Sequence, residues 1–84
     1  MSKVIELDVR ELPVPEPIAA ALSALVHLKE GEIIHFWHRM KPDMLMPRLN
    51  DYYFEIKEED EVHLYICKKD DEASIATIKA MMEN

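Results

Sequence analysis

The amino-acid sequence predicts one mixed α/β domain with the element order βαβαββ, followed by a C-terminal helix. Several short stretches alternate apolar and polar residues, which is typical of half-buried strands, and one longer stretch repeats apolar residues at helical spacing. The chain has 84 residues and a hydrophobic fraction of 49%, so it has material for one core and no separate substrate domain.

The first half of the chain predicts a strand, a helix and a second strand. Residues 3–9 alternate and are rich in β-branched side chains, and the prolines of residues 13–17 form a stiff, extended turn. Residues 18–29 carry an apolar face at helical spacing, with Gly31 just beyond them, and residues 33–37 form strand two. A helix between two strands indicates a parallel, right-handed crossover.

The second half begins with a weaker helical signal. We expect Met44, Leu45 and Leu49 to face the core. Because Pro47 is tolerated only in a first turn, the helix should start near Met46 or bend there. Three further segments follow: strand three at residues 53–57, a solvated acidic turn at residues 58–61, and strand four at residues 62–68. Val62, Leu64 and Ile66 should lie on one face of strand four, with His63, Tyr65 and Cys67 on the other.

Residues 72–82 predict a last helix, which Asp70 and Asp71 are suited to open. We therefore divide the chain into a core domain, residues 1–69, and a C-terminal helical extension, residues 70–84.

Charge and composition exclude several classes of function. The net charge is −7, with 17 acidic and 10 basic residues, which disfavours nucleic acid and anionic membranes as partners. The single cysteine cannot form an internal disulfide. We see no signal core, no long apolar span and no glycine-rich phosphate loop, so we expect a cytoplasmic chain without a cofactor.

Two short motifs that flank helix one carry a resemblance to a known family. Pro13-Val14-Pro15-Glu16-Pro17 before helix one, and Lys29-Glu30-Gly31-Glu32 after it, resemble the TusA/SirA sulfur carriers from about Val4 to Lys69. Within that superfamily the chain is most similar to the uncharacterised bacterial family "domain of unknown function twenty-two forty-nine", which shares Pro15-Glu16-Pro17 and an Arg-x-x-Pro stretch, here Arg39 to Pro42.

The resemblance implies an α+β two-layer sandwich in which a four-stranded mixed sheet of order 1-2-4-3 carries two helices on one face. It also implies a carrier cysteine at the proline turn, but this chain has Val14 there. Because valine has no nucleophile, we expect sulfur-carrier chemistry to be lost.

Alternation sets five reactive or aromatic side chains opposite the apolar faces of strands two and four: His35, Trp37, His63, Tyr65 and Cys67. Because the resemblance implies that these strands are neighbours, we expect the five to form one patch on the sheet face away from the first two helices. Such a face is unusual for a soluble monomer when it is left bare. Three alternatives stay open: it binds another protein or a second copy of the chain, the last helix covers it, or His35, His63 and Cys67 bind a metal.

A second candidate site lies where the loops after strands one and two meet. Its residues are Pro15, Glu16, Pro17, His38 and Arg39. Ligands of open α/β sheets gather at the carboxyl ends of parallel strands, so a docking loop or a small-anion site is one interpretation. A rigid helix start beside a solvated loop is the other.

These observations favour a non-catalytic, cytoplasmic protein-interaction or accessory module, acting on another protein or on itself as a homodimer. The alternative is a small-ligand or metal binder that uses the strand-end loops or the sheet face. A third hypothesis is sulfur or redox transfer through Cys67.

Overall fold

The computed structural model describes residues 2–83 and contains a four-stranded mixed sheet of order β1-β2-β4-β3. The elements are β1 (Lys3–Asp8), α1 (Glu16–Val26), β2 (Glu32–His38), a 3₁₀ turn (Met46–Leu49), β3 (Tyr52–Glu58), β4 (Val62–Lys68) and α2 (Glu72–Met82). β2 is parallel to β1 and antiparallel to β4, and β3 is antiparallel to β4. The sheet order, the parallel crossover and the C-terminal helix are confirmed, and the predicted element order holds except at the second helix, where a 3₁₀ turn lies instead. Residues 1 and 84, at the outer ends of the two predicted segments, lie outside the described residues.

The main core lies between the sheet and α1. Ile34 and Phe36 of β2 and Leu64 and Ile66 of β4 are fully buried on this face, as their alternation predicts. They pack with the buried face of α1 and with the 3₁₀ turn in one cluster. This sheet face is called the first face below.

The predicted second helix is one turn of 3₁₀ helix. Pro47 lacks the N–H that an α-helical ladder needs, and the chain instead turns at Pro42, whose carbonyl accepts the Leu45 amide at 2.9 Å. Leu45 and Leu49 are fully buried as expected, but the expectation for Met44 is wrong, because it is 78% exposed.

The helix boundaries agree with the sequence best at α2, whose predicted residues 72–82 are those observed. Helix α1 ends at Val26, three residues before the prediction, and Gly31 instead serves the turn into β2 with φ of 86°. Asp71 caps α2 by accepting the Ser74 amide at 3.2 Å. Among residues 2–83, no helix has the length and apolarity needed to cross a bilayer.

Candidate functional site: the second sheet face and the strand-end loops

The sheet face away from α1, called the second face, carries its side chains in three cross-strand rows. Strand registers give these rows, from the α2 side outward, as Val4, Ile33, Cys67 and Tyr53; then Glu6, His35, Tyr65 and Glu55; then Asp8, Trp37, His63 and Lys57. The structure therefore places all five sequence-predicted residues on the second face of the sheet.

Helix α2 covers the first row. Ile78 is fully buried against Ile33 and Cys67, both also fully buried, and Ile75 and Met82 complete the contact. A helix is about 10 Å across, whereas residues two apart on a strand are about 6.7 Å apart, so one helix cannot cover three rows. The alternative in which the last helix covers this face is therefore confirmed for Cys67 and wrong for Trp37.

Three side chains of the second and third rows are linked by hydrogen bonds: Glu6, His35 and His63. Nδ1 of His35 lies 2.6 Å from Oε1 of Glu6, and Nε2 of His35 lies 2.8 Å from Nδ1 of His63. Because a carboxylate only accepts, Nδ1 of His35 carries a hydrogen. In the neutral pair, Nε2 of His35 then accepts from Nδ1–H of His63, which leaves a lone pair on Nε2 of His63.

The rings of this surface stand nearly parallel to one another. His35 stacks on Tyr65 with centroids 4.7 Å apart and on His63 at 5.1 Å, and Trp37 stacks on His63 at 5.3 Å. These offset stacks hold the two imidazoles between larger aromatic rings, which fixes their orientation.

Arg10, from the loop after β1, covers the outer ring of this stack. Its Cζ lies 3.4 Å from the Trp37 ring centroid, and it pairs with Asp8 at 2.8 Å and with Glu61 at 3.3 Å. Glu61 also accepts the Trp37 indole N–H at 2.9 Å. The sequence did not determine what covers Trp37. In the structure, the guanidinium of Arg10 covers this ring.

Three residues of this surface are absent from the predicted site: Glu6, Arg10 and Glu61. Glu6 could have been found, because alternation along strand one and parallel pairing with strand two place it beside His35. Glu61 had been assigned to a solvated turn, and this is wrong for that residue because it bonds to Trp37 and Arg10. Asp8 is a local partner of Arg10, but no local pattern marks its contacts with Trp37 and Glu61, because these depend on the tertiary fold.

The environment of the second face shifts several pKa values. Burial first, and then neighbouring His35, lower the pKa of His63, while burial raises the pKa of Tyr65. Hydrogen bonds from Arg10 hold the pKa of Asp8 at about 2. His63 therefore favours the neutral form, with the free nitrogen described above.

Cys67 lies apart from the two histidines, in the row under α2. It is fully buried, and burial, followed by the charge of Asp71, raises its pKa to about 11. A thiol that is buried and protonated is neither a nucleophile nor a ready metal ligand. Within residues 2–83, no group of three or more His, Cys, Asp or Glu side chains is arranged to hold a metal ion.

The loops after β1 and β2 form an apolar groove of about 210 Å³ at one end of the sheet. Val14, Met40 and Met44 line it, and they are 82%, 63% and 78% exposed. His38 forms part of the wall; its Nδ1 is buried without a partner in the described chain, and burial lowers its pKa.

The predicted strand-end residues take different positions around this groove. Pro15 and Pro17 line it, with Pro17 buried, whereas Glu16 is exposed at the first position of α1. Arg39 points to the surface and pairs with Glu11 at 2.7 Å. An anion site is disfavoured here, because two prolines remove N–H donors from the helix start and Glu16 supplies a negative charge.

Comparison with protein-family models, with curated proteins and with solved structures finds no match to this chain.

Proposed function

We propose that this chain is a non-catalytic protein-interaction module whose strand-end groove takes apolar side chains from a partner protein. The distribution of exposed apolar side chains carries the proposal. Five large apolar side chains are exposed in residues 2–83, and four of them lie in the two loops that follow β1 and β2: Leu12, Val14, Met40 and Met44. Clustering of this kind marks an interaction surface, whereas scattered exposed residues do not.

The size of the groove favours a protein side chain over a free small ligand. Its volume of about 210 Å³ lies below the roughly 300 Å³ at which small-molecule sites begin. Lys41 and Asp43 are the charged residues among those that line it, so it offers few groups to orient a polar ligand. Methionines suit such a surface because their flexible side chains adapt to a partner.

The TusA/SirA resemblance adds a frame to this proposal. If the chain derives from a sulfur carrier, Val14 occupies the position of the lost nucleophile, and the loop keeps a docking role without the chemistry. The burial of Cys67 supports this interpretation, since the only thiol of the chain lies under α2.

Two valines allow a matched experiment. Val14 is 82% exposed in the groove, and Val26 is 79% exposed on α1. Peptides would be selected from a random phage-displayed library on the immobilised full chain, and the affinity of an enriched peptide measured by calorimetry. Full burial of a valine contributes about 1.5–3 kcal/mol, so we expect Val14→Asp to weaken binding at least about tenfold. Val26→Asp should leave the affinity unchanged.

Three results would contradict the proposal. The first is selection of peptides without apolar anchors, and the second is an equal loss of affinity in Val14→Asp and Val26→Asp. The third is a dimer of the full chain that Val14→Asp converts to a monomer in sedimentation velocity, since a second copy would then occupy the groove. Both variants alter exposed side chains, so circular dichroism should show native folding in each.

A further inference from the structure

The hydrogen bond between His35 and His63 can exist only while the two imidazoles carry a limited number of protons. Nε2 of His35 and Nδ1 of His63 are 2.8 Å apart, a distance that requires one hydrogen between them. With one added proton the bond persists, because one nitrogen still donates and the other accepts. With two, both nitrogens carry hydrogens, and the rings repel each other.

We propose that the His35–His63 pair is an acid-sensitive latch that holds α2 against the second face and releases it when both imidazoles are protonated. This inference concerns the second face and stands apart from the function proposed for the groove.

Contacts connect the latch to α2 through Tyr65. His35 stacks on Tyr65 with an interplanar angle of 8°, and Tyr65 packs against the cluster formed by Ile33, Cys67 and Ile78. Separation of the imidazoles removes the stacking partner of Tyr65. The cluster that includes Ile78 of α2 then loses a fixed neighbour on this side.

The N-terminus of α2 is held independently of the histidines. Asp71 accepts the Gly31 amide at 2.7 Å and the Ser74 amide at 3.2 Å. Hydrogen bonding by Ser74, and then by the Gly31 amide, keeps the pKa of Asp71 below its usual range. Asp71 therefore stays ionised in mild acid, and α2 should open about this fixed end.

The charges around the pair set the direction of the response. The groups that face it are Glu6 and Asp8 of β1, Arg10 of the following loop, Glu55 and Lys57 of β3, Glu59 and Glu61 of the hairpin turn, and Tyr65 of β4; α2 presents apolar side chains. Glu6 accepts the hydrogen of Nδ1 of His35. Burial and then His35 lower the pKa of His63, and together with Lys57 they outweigh Glu59 and Glu61, which raise it. Because the pKa of folded His63 is lowered, the closed state is favoured above the ordinary histidine pKa and is lost as pH falls below it.

The chain contains one cysteine, Cys67, which is buried under α2 and therefore reports on the opening of that helix. Cys67 of the full chain would be labelled with 4,4′-dithiodipyridine, which reacts in acid, at each pH from 7.5 to 4.5. Rates would be divided by those of the same protein in urea. Opening that takes up one extra proton should lower the protection of Cys67 about tenfold per pH unit below roughly pH 6. Far-ultraviolet circular dichroism should stay native over the same range.

Variants separate this pair from the other histidines. His63→Asn keeps an amide that donates to His35 but cannot take a proton, so it should hold Cys67 protected in acid. His27→Gln on α1, and His38→Phe beside the groove, should leave the response of the wild type unchanged. The imidazole of His27 bonds to the Ser23 carbonyl on α1, and His38 contacts Phe36 on the first face.

Three results would overturn the latch. Protection of Cys67 that is constant down to pH 4.5 is one, and an equal loss of protection in His63→Asn is another. The third is loss of circular dichroism in step with labelling, because that describes global unfolding. If His63→Asn does not fold, histidine proton NMR of the wild type decides: His35 and His63 should titrate in two separated steps, and a single shared step refutes the proposal.

Discussion

Shortening Ile78 to alanine tests where α2 lies and how strongly it is held. Ile78 is fully buried against Ile33 and Cys67. Ile→Ala in a core costs about 2–5 kcal/mol, and the lower half of that range applies here, because α2 packs on one side only and can shift to fill the gap. The total stability of a chain of 84 residues is roughly 4–13 kcal/mol, so the loss is large.

Two measurements distinguish a local opening of α2 from a loss of global stability in Ile78→Ala. Urea unfolding followed by Trp37 emission gives the global loss, and Cys67 labelling at pH 7.5 gives local opening of α2. A local cost of about 2–3 kcal/mol corresponds to a rise of roughly 30- to 150-fold in labelling rate. Ile78→Val should cost about 0.5–1.5 kcal/mol. Lys79→Ala, on the exposed side of the same helix, should change neither the free energy of unfolding nor the labelling rate of Cys67. A loss of stability below about 0.5 kcal/mol in Ile78→Ala would refute this placement of α2.

Two further substitutions test the sheet and the turn that leads into it. Leu64→Asp places an unpaired charge in the fully buried first face; we expect a cost of several kcal/mol and an unfolded spectrum by circular dichroism, and a native melting curve would show that the strand register is wrong. Gly31→Ala places a side chain at φ of 86°, where a Cβ meets no atom within 4 Å, so the cost is conformational and about 1 kcal/mol. The melting temperature should fall by roughly 4–8 °C, and a rise would contradict the left-handed turn.

The sequence was sufficient to predict the faces of the strands. Alternation separates Phe36 from Trp37 and Leu64 from His63, and the structure places each pair on opposite faces. The boundaries of α2 were also predictable, because an Asp pair precedes a regular apolar spacing. The order of the strands came from the resemblance, since alternation does not determine which strands are neighbours.

Coverage of the second face could not be predicted from the sequence. Alternation shows that Trp37 and Cys67 share a face, but not that they lie two rows apart. At about 1.5 Å per residue, α2 is roughly 16 Å long, enough to cross the strands along one row and too narrow to shield three. The cover of Trp37 comes from Arg10 instead, a contact that depends on tertiary placement of a loop.

The two candidate surfaces meet in the loop between β1 and α1. Arg10 fixes one end of this loop on Trp37 of the second face, and Val14, four residues later, lines the groove. Between them, Glu11 pairs with Arg39 of the facing loop; both side chains are largely exposed, so this pair contributes little to stability by itself. The contact between Arg10 and Trp37 is stronger, because the same guanidinium stacks on the indole ring and forms ion pairs with Asp8 and Glu61. The position of the groove rim therefore depends more on the second face than on the ion pair beside it.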